Sequence, residues 1–142
     1  MDLAAVLRSK GDDVITIAPD AVVSEAVDRL GERRIGALVV TDNGRVTGIF
    51  SERDVIYCLR QSGGQVLDWP VSRVMTAPVI TAEPSTPVLS ALALMTERRI
   101  RHLPVEHGAQ LIGIVSIGDL VKHRMEQIES EAQAMRSYIQ AV

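Results

Sequence analysis

Val23, Ala26, Val27 and Leu30 fall at i, i+3, i+4 and i+7, the spacing of one face of an amphipathic helix. Val88, Ala91, Leu92 and Met95 draw the same stripe 65 residues later, with Pro87 where the first helical turn should begin, a position that tolerates it. Before the first stripe, the short β-branched run Val14-Ile15-Thr16-Ile17 is closed by Ala18-Pro19-Asp20 and predicts a strand and a turn. After it, Ala37-Leu38-Val39-Val40 and Arg45-Val46-Thr47-Gly48-Ile49-Phe50 predict two more strands, separated by Asp42-Asn43-Gly44. Asn-Gly between β-rich runs is a hairpin signal, because both residues tolerate positive φ. The second copy has the looser Glu106-His107-Gly108-Ala109 there. A helix is expected after each closing Ser-x-x-Asp, so the predicted unit is β-α-β-β-α.

The repetition extends beyond the apolar pattern. Residues 14–56 align without a gap on residues 79–121, with 16 identities in 43 positions. Each copy ends on Gly-Ile-x-Ser-x-x-Asp, GIFSERD at 48–54 and GIVSIGD at 113–119. A fixed internal period decides architecture before any local feature does. At 142 residues the chain suits one globular domain, and a copy of roughly 60 residues is marginal alone, so the two are expected to share a core. The expected organisation is α+β: residues 1–62 as the first repeat with a lead-in helix, 63–125 as connector and second repeat, and 126–142 as a C-terminal helical extension.

Residues 57–78 join the copies inside one fold. Ser62-Gly63-Gly64 ends the first unit, and Asp68-Trp69-Pro70 leads a short helical piece, Val71 to Met75, that corresponds to the opening segment Leu3 to Lys10. Trp69 suits packing better than binding. Past the second repeat, Val121, Met125, Ile128, Ala132, Met135 and Ile139 are spaced 4, 3, 4, 3, 4, the rhythm of a helix that packs on another helix. That stripe either lies back on its own domain or meets a second subunit.

Composition narrows the function. Net charge is −3, so nothing draws the chain generally to nucleic acid or anionic membrane, and 3% aromatic content leaves no stacking platform for single strands. Cys58 is the single cysteine, which rules out a disulfide framework and a thiolate metal cluster. The start Met1-Asp2-Leu3 lacks a basic leader, and no apolar run reaches membrane-spanning length. A cytoplasmic location is the expectation.

The Ser-x-x-Asp pairs admit two readings. A Ser N-cap with an acid three residues on is close to a capping box, worth about 1 kcal/mol. Asp reaches less far than the Glu or Gln such boxes prefer, however, and the residue three before each Ser is Gly, which lets a ligand or another backbone approach. A helix N-terminus with free N–H groups also receives phosphate, and a neighbouring carboxylate can accept both hydroxyls of a ribose diol. Capping and binding are compatible.

The repeat, its element order and the Gly-x-x-Ser-x-x-Asp ending resemble a tandem pair of CBS domains, named for cystathionine β-synthase, over essentially residues 1–125. The resemblance implies one module with a pseudo-two-fold axis and two clefts for adenosine compounds, the ribose held by the motif Asp and phosphate near the motif Ser. It places Ser51, Arg53 and Asp54 in one cleft, with Ile49 and Ala37 behind them and Met75, Val79 and Ile80 crossing from the second copy. The other cleft takes Ser116, Gly118 and Asp119, with Ile114 and His102, and Lys10, Val14 and Ile15 crossing from the first. Arg101 stands where a basic residue faces phosphates. The clefts are unequal, since Arg53 is a cation where Gly118 offers only backbone.

The implied function is that of a regulatory sensor of AMP, ADP, ATP or NAD(H), a homodimer with an effector protein as its partner. It is expected to be no enzyme and to need no cofactor. The alternative is a structural or interaction module whose clefts are empty or hold S-adenosylmethionine. Arg33-Arg34 and Arg98-Arg99 suit solvated helix ends, though such ends can face the central cleft. His107 and His123 have no metal partner at ligand spacing. Ser116, His102 and Asp119 could be drawn as a triad, but Ile114 breaks the nucleophile-elbow pattern, and there is no phosphate-binding loop of the Walker or dinucleotide type.

Overall fold

The two hairpins form where the alternation places them. The structure is a computed structural model and describes residues 1–11 and 13–141; Asp12 and Val142, the last residue of the expected extension, lie outside the described residues. Strands β2 (Ala37–Asp42) and β3 (Arg45–Ser51) pair antiparallel, as do β4 (His102–His107) and β5 (Gln110–Ser116). Asn43 and Gly44 adopt φ 51° and 80°, the left-handed pair that the Asn-Gly signal predicts. Both hairpins carry an irregularity at the same repeat position, after Val40 and after Val105.

The first strand of each copy differs. β1 (Thr16–Ile17) pairs parallel with β2, and Val39 N–H donates to the Ile15 carbonyl at 3.3 Å. In the second copy Val39 is replaced by Pro104, which has no N–H to give Ile80. Pairing there shrinks to an isolated bridge between Ala82 and Val105, so the β-α-β-β-α order holds for the first copy and loses its regular opening strand in the second.

Helices α1 (Leu3–Lys10), α2 (Val23–Arg33), α3 (Glu52–Ser62), α4 (Val71–Val74), α5 (Val88–Arg98) and α6 (Ile117–Ala141) complete the fold, with a 3-10 turn at Gly63–Asp68 before α4. α2 and α5 bury the predicted faces: Val23, Ala26 and Leu30, and Val88, Ala91 and Met95. Both end on an arginine in the left-handed region, Arg34 at φ 52° and Arg99 at φ 55°.

The expected shared core is instead two clusters, each completed by the lead-in of the other copy. Leu3, Val6 and Leu7 of α1 pack with Val88, Ala91, Met95, Leu103, Val105, Val115 and Leu120 of the second copy. Val71 of α4, with Trp69, Val74 and Met75, packs with Val23, Leu30, Leu38 and Phe50 of the first. Backbone bonds fix the exchange: Leu3 N–H donates to Thr86 O at 3.0 Å, and Val71 N–H to Ala21 O at 2.8 Å. The physical reason is area: one sheet face and one helix leave an apolar side uncovered, and the short lead-in helix closes it.

α6 is 25 residues long, about 37 Å at the helical rise of 1.5 Å per residue. Its first turn is anchored by Leu120 in the second core. Further on, Val121, Met125, Ile128, Met135 and Ile139 are 42, 64, 50, 60 and 65% exposed, so the stripe does not lie back on its own domain.

Candidate functional site

Each Ser-x-x-Asp string sits at a corner where a hairpin strand turns into a helix. At the first corner Ser51 caps α3: Asp54 N–H donates to Ser51 Oγ at 3.4 Å and Ser51 N–H to Asp54 Oδ2 at 2.9 Å, a reciprocal capping box. The connector reaches the same place. Thr76 N–H donates to Ile49 O at 2.8 Å, Ile49 N–H returns to Thr76 O at 3.0 Å, and Thr76 Oγ1 donates to Asp54 Oδ1 at 3.0 Å.

Beside this corner lies a cavity of about 260 Å³ lined from both copies. The first copy supplies Gly36, Ile49, Ser51, Glu52, Arg53, Asp54 and Tyr57, and the turn from α5 into β4 supplies Arg99, Ile100, Arg101 and His102. Three arginines and two acidic residues thus line one pocket together with Ile49 and Ile100. Arg53 Nη1 donates to Arg99 O at 3.3 Å, tying the copies together across it. Gly36 lies close under His102: a Cβ there would stand 3.0 Å from His102 Cε1, so the ring would have to shift by a few tenths of an ångström. Burial pushes the His102 imidazole below its ordinary value of 6.5, with Lys10 and Arg101 adding to the effect against Glu52 and Asp119.

The second corner has the same cap and a different visitor. Ser116 N–H donates to Asp119 Oδ2 at 2.8 Å, and Asp119 N–H to Ser116 Oγ at 3.1 Å. Lys10, the last residue of α1, donates from Nζ to Ile114 O at 2.8 Å and to Asp119 Oδ2 at 2.5 Å. Burial raises the Asp119 pKa, but the bonds from Lys10 and Ser116 outweigh it and hold the carboxyl below 3.8. Among the described residues no group of three or more His, Cys, Asp or Glu is placed to hold a metal ion, and no helix is long and apolar enough to cross a membrane.

Residues 7–61 and 71–126 each match the CBS domain family. The chain belongs to that family. It is 35% identical over 147 residues to the CBS domain-containing protein CBSX3, mitochondrial, of Arabidopsis thaliana, covering 97% of this chain and 71% of that one. It is 30% identical to the CBS domain-containing protein YhcV of Bacillus subtilis, with 94% of both chains covered. Among solved structures, the CBS-domain containing protein ATU1752 from Agrobacterium tumefaciens matches with a TM-score of 0.84 and 41% identity, over 87% of this chain and 99% of that one. The CBS domain pair of protein MJ0100, solved in complex with 5′-methylthioadenosine and S-adenosyl-L-methionine, matches with a TM-score of 0.77 and 25% identity, over 86% of this chain and 98% of that one. Tandem CBS pairs are regulatory ligand-binding modules, and this chain is such a pair.

Within the CBS pair, Ser51, Arg53, Asp54, Ile49 and Arg101 come together around the cavity, and Ala37 pairs with Ser51 behind it. His102, expected at the second corner, lines the first cavity, while its backbone pairs with Ser116 and Lys10 and Asp119 act on its imidazole. Met75 packs against Gly48, where a Cβ would collide with it, and Leu7 fills the matching place at Gly113. The two motif glycines thus admit the lead-in helices and not a ligand. Ile80 and Ile15 pack on the cores of their own copies, and Val79 and Val14 are half-buried beside them. Thr76, Glu52, Tyr57 and Gly36 also line the cavity without a sequence motif to mark them, and Arg99 is a helix end that does face it. Arg99 stands in the sequence as the repeat of Arg34, and both close their helices in the left-handed region.

Proposed function

We propose that this CBS pair is a regulatory module that senses an adenine nucleotide, AMP, ADP, ATP or NAD(H), and reports it through its conformation or assembly to an effector protein. One observation carries the reading: a capped helix N-terminus, a half-buried carboxylate and three arginines converge on one cavity between the copies. Asp54 can accept ribose hydroxyls in place of the Thr76 hydroxyl it now holds. Ile49 and Ile100 offer apolar contact to a base, and Arg53, Arg99 and Arg101 offer planar donors to phosphate oxygens. No reaction is assigned, because stand-alone CBS pairs are regulatory and not catalytic.

Calorimetry with adenosine, AMP, ADP, ATP and NAD is the test. Arg53→Gly should weaken ATP binding more than adenosine binding, with a loss that shrinks as salt rises. Equal losses for the two ligands would mean that Arg53 shapes the cavity and does not read phosphate.

A second reading has its own support: the MJ0100 pair binds 5′-methylthioadenosine and S-adenosyl-L-methionine, neither of which carries a phosphate. A thermal-shift panel containing both compounds beside the nucleotides separates the readings. If nothing in the panel moves the melting temperature, the module acts by protein interaction alone. We also propose a homodimer, because α6 carries a stripe of exposed large apolar side chains along its length.

A further inference from the structure

The two corners are built alike, but their lead-ins differ in length. Leu3 and Val71, like Leu7 and Met75, stand 68 residues apart, whereas the repeats stand 65 apart. The first lead-in therefore has three extra residues before its strand. They lengthen the helix: α1 spans 8 residues and α4 spans 4. That extra turn ends on Lys10, and it carries the ammonium into the second corner.

There Lys10 does the work that two groups of Thr76 do at the first corner. Thr76 N–H serves Ile49 O and its hydroxyl serves Asp54; Lys10 Nζ alone serves Ile114 O and Asp119. The difference is one of charge. Asp54 holds a neutral hydroxyl that a ribose hydroxyl can replace like for like. Asp119 holds an ammonium, and a charge-assisted bond of this kind is the stronger partner. The side chains of Lys10 and Asp119 are 30 and 28% exposed, so water screens the pair only in part. The α1 C-terminus also favours a cation at its last residue. The second corner meanwhile has no counterpart to two of the cavity's cations, because Arg53 and Arg101 correspond in the repeat to Gly118 and Gly36.

We propose that Lys10 is a built-in occupant of the second corner, one that excludes ribose from Asp119 and leaves the CBS pair with a single working site at Asp54. Lys10 is then a determinant of stoichiometry and not a contact to the ligand. A dinucleotide cannot bridge the two corners while Lys10 is in place. This rests on the adenine-nucleotide reading.

The test is calorimetry with ADP on the wild type, on Lys10→Met and on Lys10→Gln, each first checked for its fold by circular dichroism. Lys10→Gln keeps a donor without the charge and serves if the Met variant does not fold. The wild type should bind one ADP per chain, with any second site roughly 10- to 100-fold weaker. The Lys10 variants should bind two, and Asp119→Ala in that background should remove the added one while Asp54→Ala removes the other. Two equal sites in the wild type, or one site in wild type and variants alike, would overturn the occupant and leave the nucleotide reading standing. No ADP bound by any of the proteins would defeat the nucleotide reading, and the occupant with it.

Discussion

Asp54 performs two jobs with one carboxylate, and the residue scale is where they can be separated. Its Oδ2 closes the cap with Ser51, and its Oδ1 holds the Thr76 hydroxyl. Asp54→Ala should lose both, lowering stability by about 0.5–2 kcal/mol for the cap and nucleotide affinity roughly 10- to 100-fold. Thr76→Val leaves the cap in place, so it should alter affinity with little change in melting temperature. Wild-type ADP binding in a folded Asp54→Ala protein would reduce the corner to a helix cap. Two further residues set a pH dependence. His102 and Asp119 both have folded pKa values below their ordinary 6.5 and 3.8. Each therefore supports folding above its ordinary value and loses that support as pH falls through the folded value. Stability measured by denaturant should decline first below pH 6.5 and again below 3.8. His102→Gln should flatten the upper step, and Lys10→Met, by removing a bond that holds the Asp119 carboxyl down, should flatten the lower one.

At the scale of elements, the lead-in helices and the second copy's opening strand depart most from a simple repeat. Leu3 lies outside the aligned repeat yet is fully buried in the second copy's core. Leu3→Ala should cost about 2–5 kcal/mol, as for any large-to-small change in a tight core, and denaturant titration will read it. A cost below 1 kcal/mol would mean that α1 is peripheral. Pro104 gives a subtler test. Pro104→Val supplies the N–H that Val39 supplies in the first copy, so its amide should be protected from hydrogen exchange by Ile80 O. Net stability should move little, because a bond worth about 0.5–1.5 kcal/mol is offset by an unfolded chain freed of proline. Fast exchange at residue 104 would show that the strand is displaced for another reason.

At the scale of the whole molecule, α6 decides how the pair assembles. Six large apolar side chains along it, Val121, Met125, Ile128, Met135, Tyr138 and Ile139, stand at least 42% exposed. Burying such side chains is worth up to about 1.5–3 kcal/mol each before ordering entropy is counted. The same helix of a second copy would cover them symmetrically. Ile128→Glu with Met135→Glu should then give a soluble monomer that keeps its nucleotide site, as read by light scattering and calorimetry. A wild type that is already monomeric at tens of micromolar would reserve the stripe for the effector.

The sequence by itself determined the repeat, the element order, the Asn-Gly turn and the two capped corners, because each depends on residues within a few positions of one another. It also carried the stripe of α6 and the inequality of Arg53 and Gly118. Only the tertiary structure decided that the lead-ins exchange cores, that the motif glycines receive Met75 and Leu7, and that Arg99 and His102 turn to the first cavity. Lys10 was legible as a residue of the second corner but not as the partner of Asp119, 109 positions away. The physical reason is that pattern and capping specify an element's faces and ends. Which face covers which, and where an extra helical turn delivers a charge, depends on how distant apolar surfaces close on one another.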